Sequence, residues 1–238
     1  MDFDLQKRAA KINTILLDKG IKKPPIMRVA VALDISGSMD HIIRSGALQN
    51  AFDHLMGVAV QFDDNGELDV FKFDTHCEYV GGSTPVKGDY DTFLAKNGIH
   101  ARGGTSYAPI VDAAMDFFFK PQKKGGFLGF GAKTEPASDI PVLMMILTDG
   151  EPNDAAETQR RMQAAVNDPI YFHMVGVGGS RKDFRTIAKL ADDLPNVGEV
   201  YLPHLNMTDD EIYSQLVCEE LIEFIGKFAH NGPQAATA

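Results

Sequence analysis

The chain has 238 residues, enough to bury one full α/β core but short for two. At 44% hydrophobic and 24% charged residues, its composition is that of an ordinary globular domain and excludes the disordered, fibrous and membrane classes. Asp and Glu outnumber Lys and Arg by 33 to 23, and the resulting net charge of −10 disfavours nucleic acid and anionic membrane surfaces as partners.

The two cysteines, Cys77 and Cys218, have no C-x-x-C spacing, so they suggest neither a disulfide framework nor a zinc knuckle, and a reducing cytoplasm is expected. The start, residues 1–8, is acidic and then mixed, without the basic-then-apolar order of a secretory leader. The longest apolar run, residues 141–147, falls far short of the roughly 20 residues that cross a bilayer.

In chain order, Leu5, Ala9, Ile12 and Leu16 recur at helical spacing until Gly20 and the Pro24-Pro25 pair, so residues 1–24 read as an outlying helix and linker before a domain at 25–230. Residues 27–33 (MRVAVAL) are continuously apolar and predict a strand buried on both faces. Leu48, Phe52, Leu55, Ala59 and Phe62 predict a long amphipathic helix, stopped by Asp63-Asp64-Asn65-Gly66. Strands follow at 68–73 and 77–80, and then Arg102-Gly103-Gly104-Thr105-Ser106 forms a loop leading into a helix at 110–119. Residues 120–139 read as a long Lys- and Gly-rich loop. Residues 140–147 form the most apolar strand and end at Thr148-Asp149-Gly150. Beyond it come a helix at 155–166, a strand at 170–177, a short helix at 183–190 and a strand at 197–202. Thr208-Asp209-Asp210-Glu211 is a capping box before one helix through Ile212, Leu216, Ile222, Ile225 and Phe228, and 231–238 read as a flexible tail.

Strands separated by helices predict a doubly wound α/β fold, with a mostly parallel central sheet, helices on both faces and one antiparallel edge strand where the connection is short. Ligands of such sheets sit outside the carboxyl ends of the strands. Three polar clusters fall there: Asp34-Ile35-Ser36-Gly37-Ser38, Gly103-Gly104-Thr105-Ser106 and Thr148-Asp149-Gly150. The first and third end the two most apolar strands, which makes them neighbours at the sheet centre.

Their side chains offer three hydroxyls, from Ser36, Ser38 and Thr105, and two carboxylates, from Asp34 and Asp149. An all-oxygen set suits a hard cation, with magnesium first and manganese or calcium as alternatives. Alternation of Asp34, Ser36 and Ser38 in an extended loop points them one way, and Gly37 permits a tight turn. Two formal charges leave a divalent ion open to one more anionic ligand.

Asp34-x-Ser36-x-Ser38, then Thr105, then Asp149 in a Thr-Asp-Gly turn, resembles the metal-ion-dependent adhesion site (MIDAS) of von Willebrand factor A (vWA) domains. Residues 28–40 (RVAVALDISGSMD), 62–71 and 103–109 are most similar to the intracellular bacterial and phage tellurium-resistance group. The resemblance covers residues 25–228 and implies hydroxyl ligation by Ser36, Ser38 and Thr105, with Asp34 and Asp149 binding directly or through water. It further implies that a protein partner's Glu or Asp completes the shell, and that the chain is a non-enzymatic interaction module.

Plainer readings stand beside this. Asp34, Ser36 and Ser38 are also favoured helix caps, and Thr105 and Asp149-Gly150 also suit ordinary turns. A magnesium-dependent phosphohydrolase could use Asp34 as nucleophile, although Ser36 stands where such enzymes usually carry a second aspartate. A metal-independent scaffold could bind an acidic partner through the 120–139 loop, with Lys120, Lys123, Lys124 and Lys133 around Phe127, Leu128 and Phe130. The glycine-rich stretch at 126–134 lacks the strand-then-helix context of a phosphate-binding loop.

Overall fold

The most apolar segments of the chain form the middle of a six-stranded sheet. In the computed structural model, which describes residues 2–63, 66–120, 122–123, 134–135 and 140–229, the strands are β1 (Arg28–Asp34), β2 (Leu68–Phe73), β3 (Cys77–Ser83), β4 (Gln122–Lys123), β5 (Thr134–Glu135), β6 (Val142–Thr148), β7 (Ile170–Val177) and β8 (Val197–Leu202). The main sheet has the order β3-β2-β1-β6-β7-β8. Its neighbours are parallel except β2 and β3, which pair antiparallel across a short connection. The expected doubly wound sheet with one antiparallel edge strand is what the chain builds. β4 and β5 form a separate antiparallel pair. Apart from that backbone pairing, the 121–139 part of the loop and the tail from residue 230 lie outside the described residues, as do Asp64 and Asn65 of the turn after the long helix.

Every residue of β6 and β7, and all of β1 after Arg28, is buried, as expected of strands covered on both faces. One face packs under α1 (Phe3–Asp18), α2 (Asp40–Arg44) and α3 (Ala47–Phe62), together with α8 (Asp209–Leu216) and α9 (Glu219–Ala229); the short α4 (Phe93–Lys96) also joins this layer. The other face packs under α5 (Ala108–Phe119), α6 (Ala155–Ala164) and α7 (Arg185–Asp193). Register brings Leu33 of β1 opposite Leu147 of β6, so the polar residues that follow each strand emerge side by side at the rim.

The first and the last helical segments differ from the sequence expectation, and α2, α4 and the β4–β5 pair are elements it did not include. The helix in residues 1–24 is not outlying. Leu5, Ile12 and Leu16 are fully buried, and Arg8 ties α1 to its neighbours through Asp209 Oδ1 at 3.2 Å and the Asp53 carbonyl at 2.8 Å. α3 accommodates this approach at Gly57, where an added Cβ would lie 2.9 Å from Arg8 Cβ and 2.5 Å from the Tyr213 hydroxyl. The final helix is two helices, broken at Val217 (φ −88°, ψ 60°). The apolar spacing runs on through the break, so the pattern alone does not mark it. The capping box forms as expected, with Thr208 N donating to Glu211 Oε2 at 2.8 Å and Glu211 N to Thr208 Oγ1 at 3.4 Å. Among the described residues no helix is long and apolar enough to cross a membrane.

Because Ile12 is fully buried, Ile12→Ala is expected to cost about 2–5 kcal/mol in denaturant unfolding. A loss below about 0.5 kcal/mol would mean that α1 is not part of the core.

Candidate metal centre

β1 ends on Asp34, whose side chain is fully buried. A buried carboxylate needs partners for both oxygens, and Asp34 has them. Oδ1 accepts the Ser36 N–H at 2.7 Å, and Oδ2 accepts the Thr148 hydroxyl at 2.5 Å. Burial is the main influence raising its pKa above the usual value; the bonds from Thr148 and Ser36 oppose that rise, and the charge of Asp149 adds to it. Neither Asp34 nor Asp149 has an ion-pair partner among the described residues.

Beyond Asp34 the chain does not continue as an extended loop. Ser36 is extended (φ −60°, ψ 163°), and a 3-10 turn follows at Gly37–Met39. The two serine side chains still converge, with their Oγ atoms 3.1 Å apart, and Ser38 Oγ donates to Asp149 Oδ1 at 2.7 Å. The glycine requirement falls elsewhere than expected. A Cβ on Gly37 would make only an ordinary 3.6 Å contact, whereas Gly103 has φ +70° and lies tight against Asp74.

Thr105 is carried by a loop fastened on three sides. Arg102 N donates to Ile35 O at 2.6 Å and Gly37 N to Gly103 O at 3.1 Å; Ser106 N reaches Asp74 O at 2.9 Å, and Asn153 N reaches Thr105 O at 2.8 Å. The Thr105 hydroxyl, in a residue only 7% exposed, has no hydrogen-bond partner among the described residues. The five predicted donors therefore occupy one rim. Asp34, Ser36 and Thr105 form its buried floor, with Ser38 and Asp149 towards solvent.

Sequence reasoning missed Thr148 and Tyr107. In the sequence Thr148 is one residue of a turn, whereas in the fold its hydroxyl joins β6 to Asp34. Tyr107, fully buried, donates to the Gly150 carbonyl at 2.5 Å. Burial pushes its phenol pKa well up, so it stays a neutral donor. A strand-end threonine beside Asp149 and an aromatic two residues after Thr105 were the available signals. Asp34 uses one acceptor position of each oxygen on the strand ends around it. Among the described residues no cluster of three histidine, cysteine or carboxylate side chains could hold a metal; the predicted donors are three hydroxyls and two carboxylates.

The family model for vWA-TerF-like domains, described as the vWA found in the TerF C terminus, matches residues 26–232. The chain belongs to this family. A vWA domain is typically a metal-dependent protein-interaction module and is generally non-enzymatic. The chain is 26% identical over 223 residues to YcbR, an uncharacterized protein of Bacillus subtilis (strain 168), covering 91% of this chain and 84% of that one. Among solved structures, a von Willebrand factor type A protein from Catenulispora acidiphila superposes with TM-score 0.51 at 19% identity, covering 83% of this chain and 43% of that one. Proximal thread matrix protein 1 from the mussel byssus reaches TM-score 0.56 at 13% identity, covering 82% and 48%. Another structure of that protein, with its MIDAS motif occupied by zinc, gives TM-score 0.52 at 13% identity, covering 83% and 46%. The chain thus spans under half the length of these structures, and at such identities they show the shared fold.

Thr148→Val keeps the side-chain shape and leaves Asp34 Oδ2 without its donor. Unfolding measurements are expected to show a loss of about 1–3 kcal/mol; an unchanged stability would mean the hydroxyl is not needed there.

Proposed function

We propose that this vWA domain is a non-enzymatic, magnesium-dependent module that binds an acidic residue of a protein partner. The convergence of five oxygen donors at one rim, with the Thr105 hydroxyl unpartnered among the described residues, supports this reading, and the oxygen spacing is compatible with it. Around an octahedral ion with ligands at about 2.1 Å, adjacent ligand atoms lie about 3 Å apart. Ser36 Oγ to Ser38 Oγ is 3.1 Å and Ser38 Oγ to Asp149 Oδ1 is 2.7 Å. With two carboxylates lacking ion-pair partners among the described residues and a free Thr105 hydroxyl, the donor set fits a hard cation; manganese and calcium fit the same chemistry less closely.

In this reading Ser36, Ser38 and Thr105 hold the ion, Asp149 binds it directly or through water, and Asp34 acts through water while fixing the Ser36 backbone. A bound divalent ion supplies local positive charge and an open coordination position for a partner's Glu or Asp. The net charge of −10 does not oppose an acidic ligand, because the local charge governs the contact. Ser36, standing where such enzymes usually carry a second aspartate, favours binding over phosphohydrolase chemistry. The TerF name of the family supports a tellurium-resistance or stress-related setting for the partner.

Magnesium at about a hundredfold its Kd is expected to stabilise the domain by about 2.7 kcal/mol, raising Tm by about 5–10 °C, and Asp34→Ala is expected to abolish the gain. Calorimetry that detects no divalent-ion binding to the wild type at millimolar concentration would overturn the reading.

A further inference from the structure

Asp154 occupies the residue before α6, where an aspartate usually caps its own helix. Its side chain makes no such bond. Instead the carboxylate crosses to another element. One oxygen accepts the Tyr107 N–H at 2.9 Å and the other the Ala108 N–H at 3.0 Å, with the Thr158 hydroxyl 3.2 Å from the first. These N–H groups open α5, and α5 has no side-chain cap from its own N-terminal residue. A carboxylate at this end of a helix is also favoured by the helix dipole.

The diversion has a geometric consequence. Thr105 lies two residues before Tyr107, and Asp149 lies five residues before Asp154. Between these segments run both Asp154 bonds, the Asn153 N–H to the Thr105 carbonyl at 2.8 Å, and the Tyr107 hydroxyl to the Gly150 carbonyl at 2.5 Å. Two successive N–H groups held by the two oxygens of one carboxylate fix an angle as well as a separation. We propose that Asp154 is a positioning residue for cation binding, which sets the Thr105 hydroxyl against Asp149. This rests on the metal-site reading above. An amide at this position keeps one acceptor oxygen but turns an NH2 group towards a backbone N–H, so Asp154→Asn breaks one arm of the clamp with almost no change in size.

The test is a double-mutant cycle on magnesium affinity. Wild type, Asp154→Asn, Thr105→Ala and the double variant are titrated with MgCl2 by calorimetry, and the metal-free unfolding of each is measured. Asp154→Asn is expected to weaken magnesium binding about 10- to 100-fold, the range typical of residues that orient metal ligands. The double variant is expected to bind no more weakly than Thr105→Ala alone. Loss of one negative charge, or a general loosening, would weaken both backgrounds by the same factor, so full additivity overturns the proposal. Wild-type affinity in Asp154→Asn overturns it as well. A wild type that binds no magnesium overturns the site reading itself, and this inference with it. Should Asp154→Asn fail to fold, Asp154→Glu, which keeps the charge but displaces the carboxylate from the Tyr107 and Ala108 N–H groups, enters the same cycle with the same two outcomes.

Discussion

The hydroxyl of Thr148 donates to Asp34 Oδ2 at 2.5 Å, joining the ends of the two central strands at the point where the sheet turns from apolar to polar. Much of the rim depends on this bond. It gives a fully buried carboxylate one of its two required partners, and it holds the loop after β1 beside the turn after β6. Without it, Asp34 would be a desolvated charge with an unpaired oxygen, and Ser38 and Asp149 would lose the common anchor that keeps them within hydrogen-bond distance.

The sheet makes that anchor possible. β1 and β6 are buried on both faces, so their parallel register is fixed by two hydrophobic layers at once. A rigid pair of strand ends is the kind of support on which polar groups keep their spacing. The third segment of the rim has no strand of its own beneath it and is fastened instead by backbone bonds from residues 102–106 and by the side chains of Tyr107 and Asp154. Its precision comes from loops pinned to loops, which is why the substitutions that discriminate most among accounts of the site fall there.

Much of this was legible in the sequence. Continuous apolar runs at 27–33 and 140–147 identified the central strands, because only a strand covered on both faces is apolar at every position. Asp34, Ser36, Ser38, Thr105 and Asp149 were legible as a group because they fell at strand ends or in rim loops. Less legible were features decided by tertiary contact. The burial of Leu5, Ile12 and Leu16 depends on the surface α3 and α8 offer, and the break at Val217 leaves the apolar period intact. Gly103, rather than Gly37, proves to need its glycine, since its left-handed backbone (φ +70°) and its close packing on Asp74, 29 residues away in the chain, are set by the folded loop. Asp154 carries no distinguishing signal in the sequence, and only its position opposite α5 shows where its carboxylate goes.

The central claim is that these five side chains hold one divalent ion. The most direct measurement is a diffraction experiment on crystals grown with manganese, using its anomalous signal to place the ion. The account predicts a single strong peak about 2 Å from the Oγ atoms of Ser36 and Ser38, facing Thr105 and Asp149. No peak at the rim, or a peak held by other side chains, would contradict it.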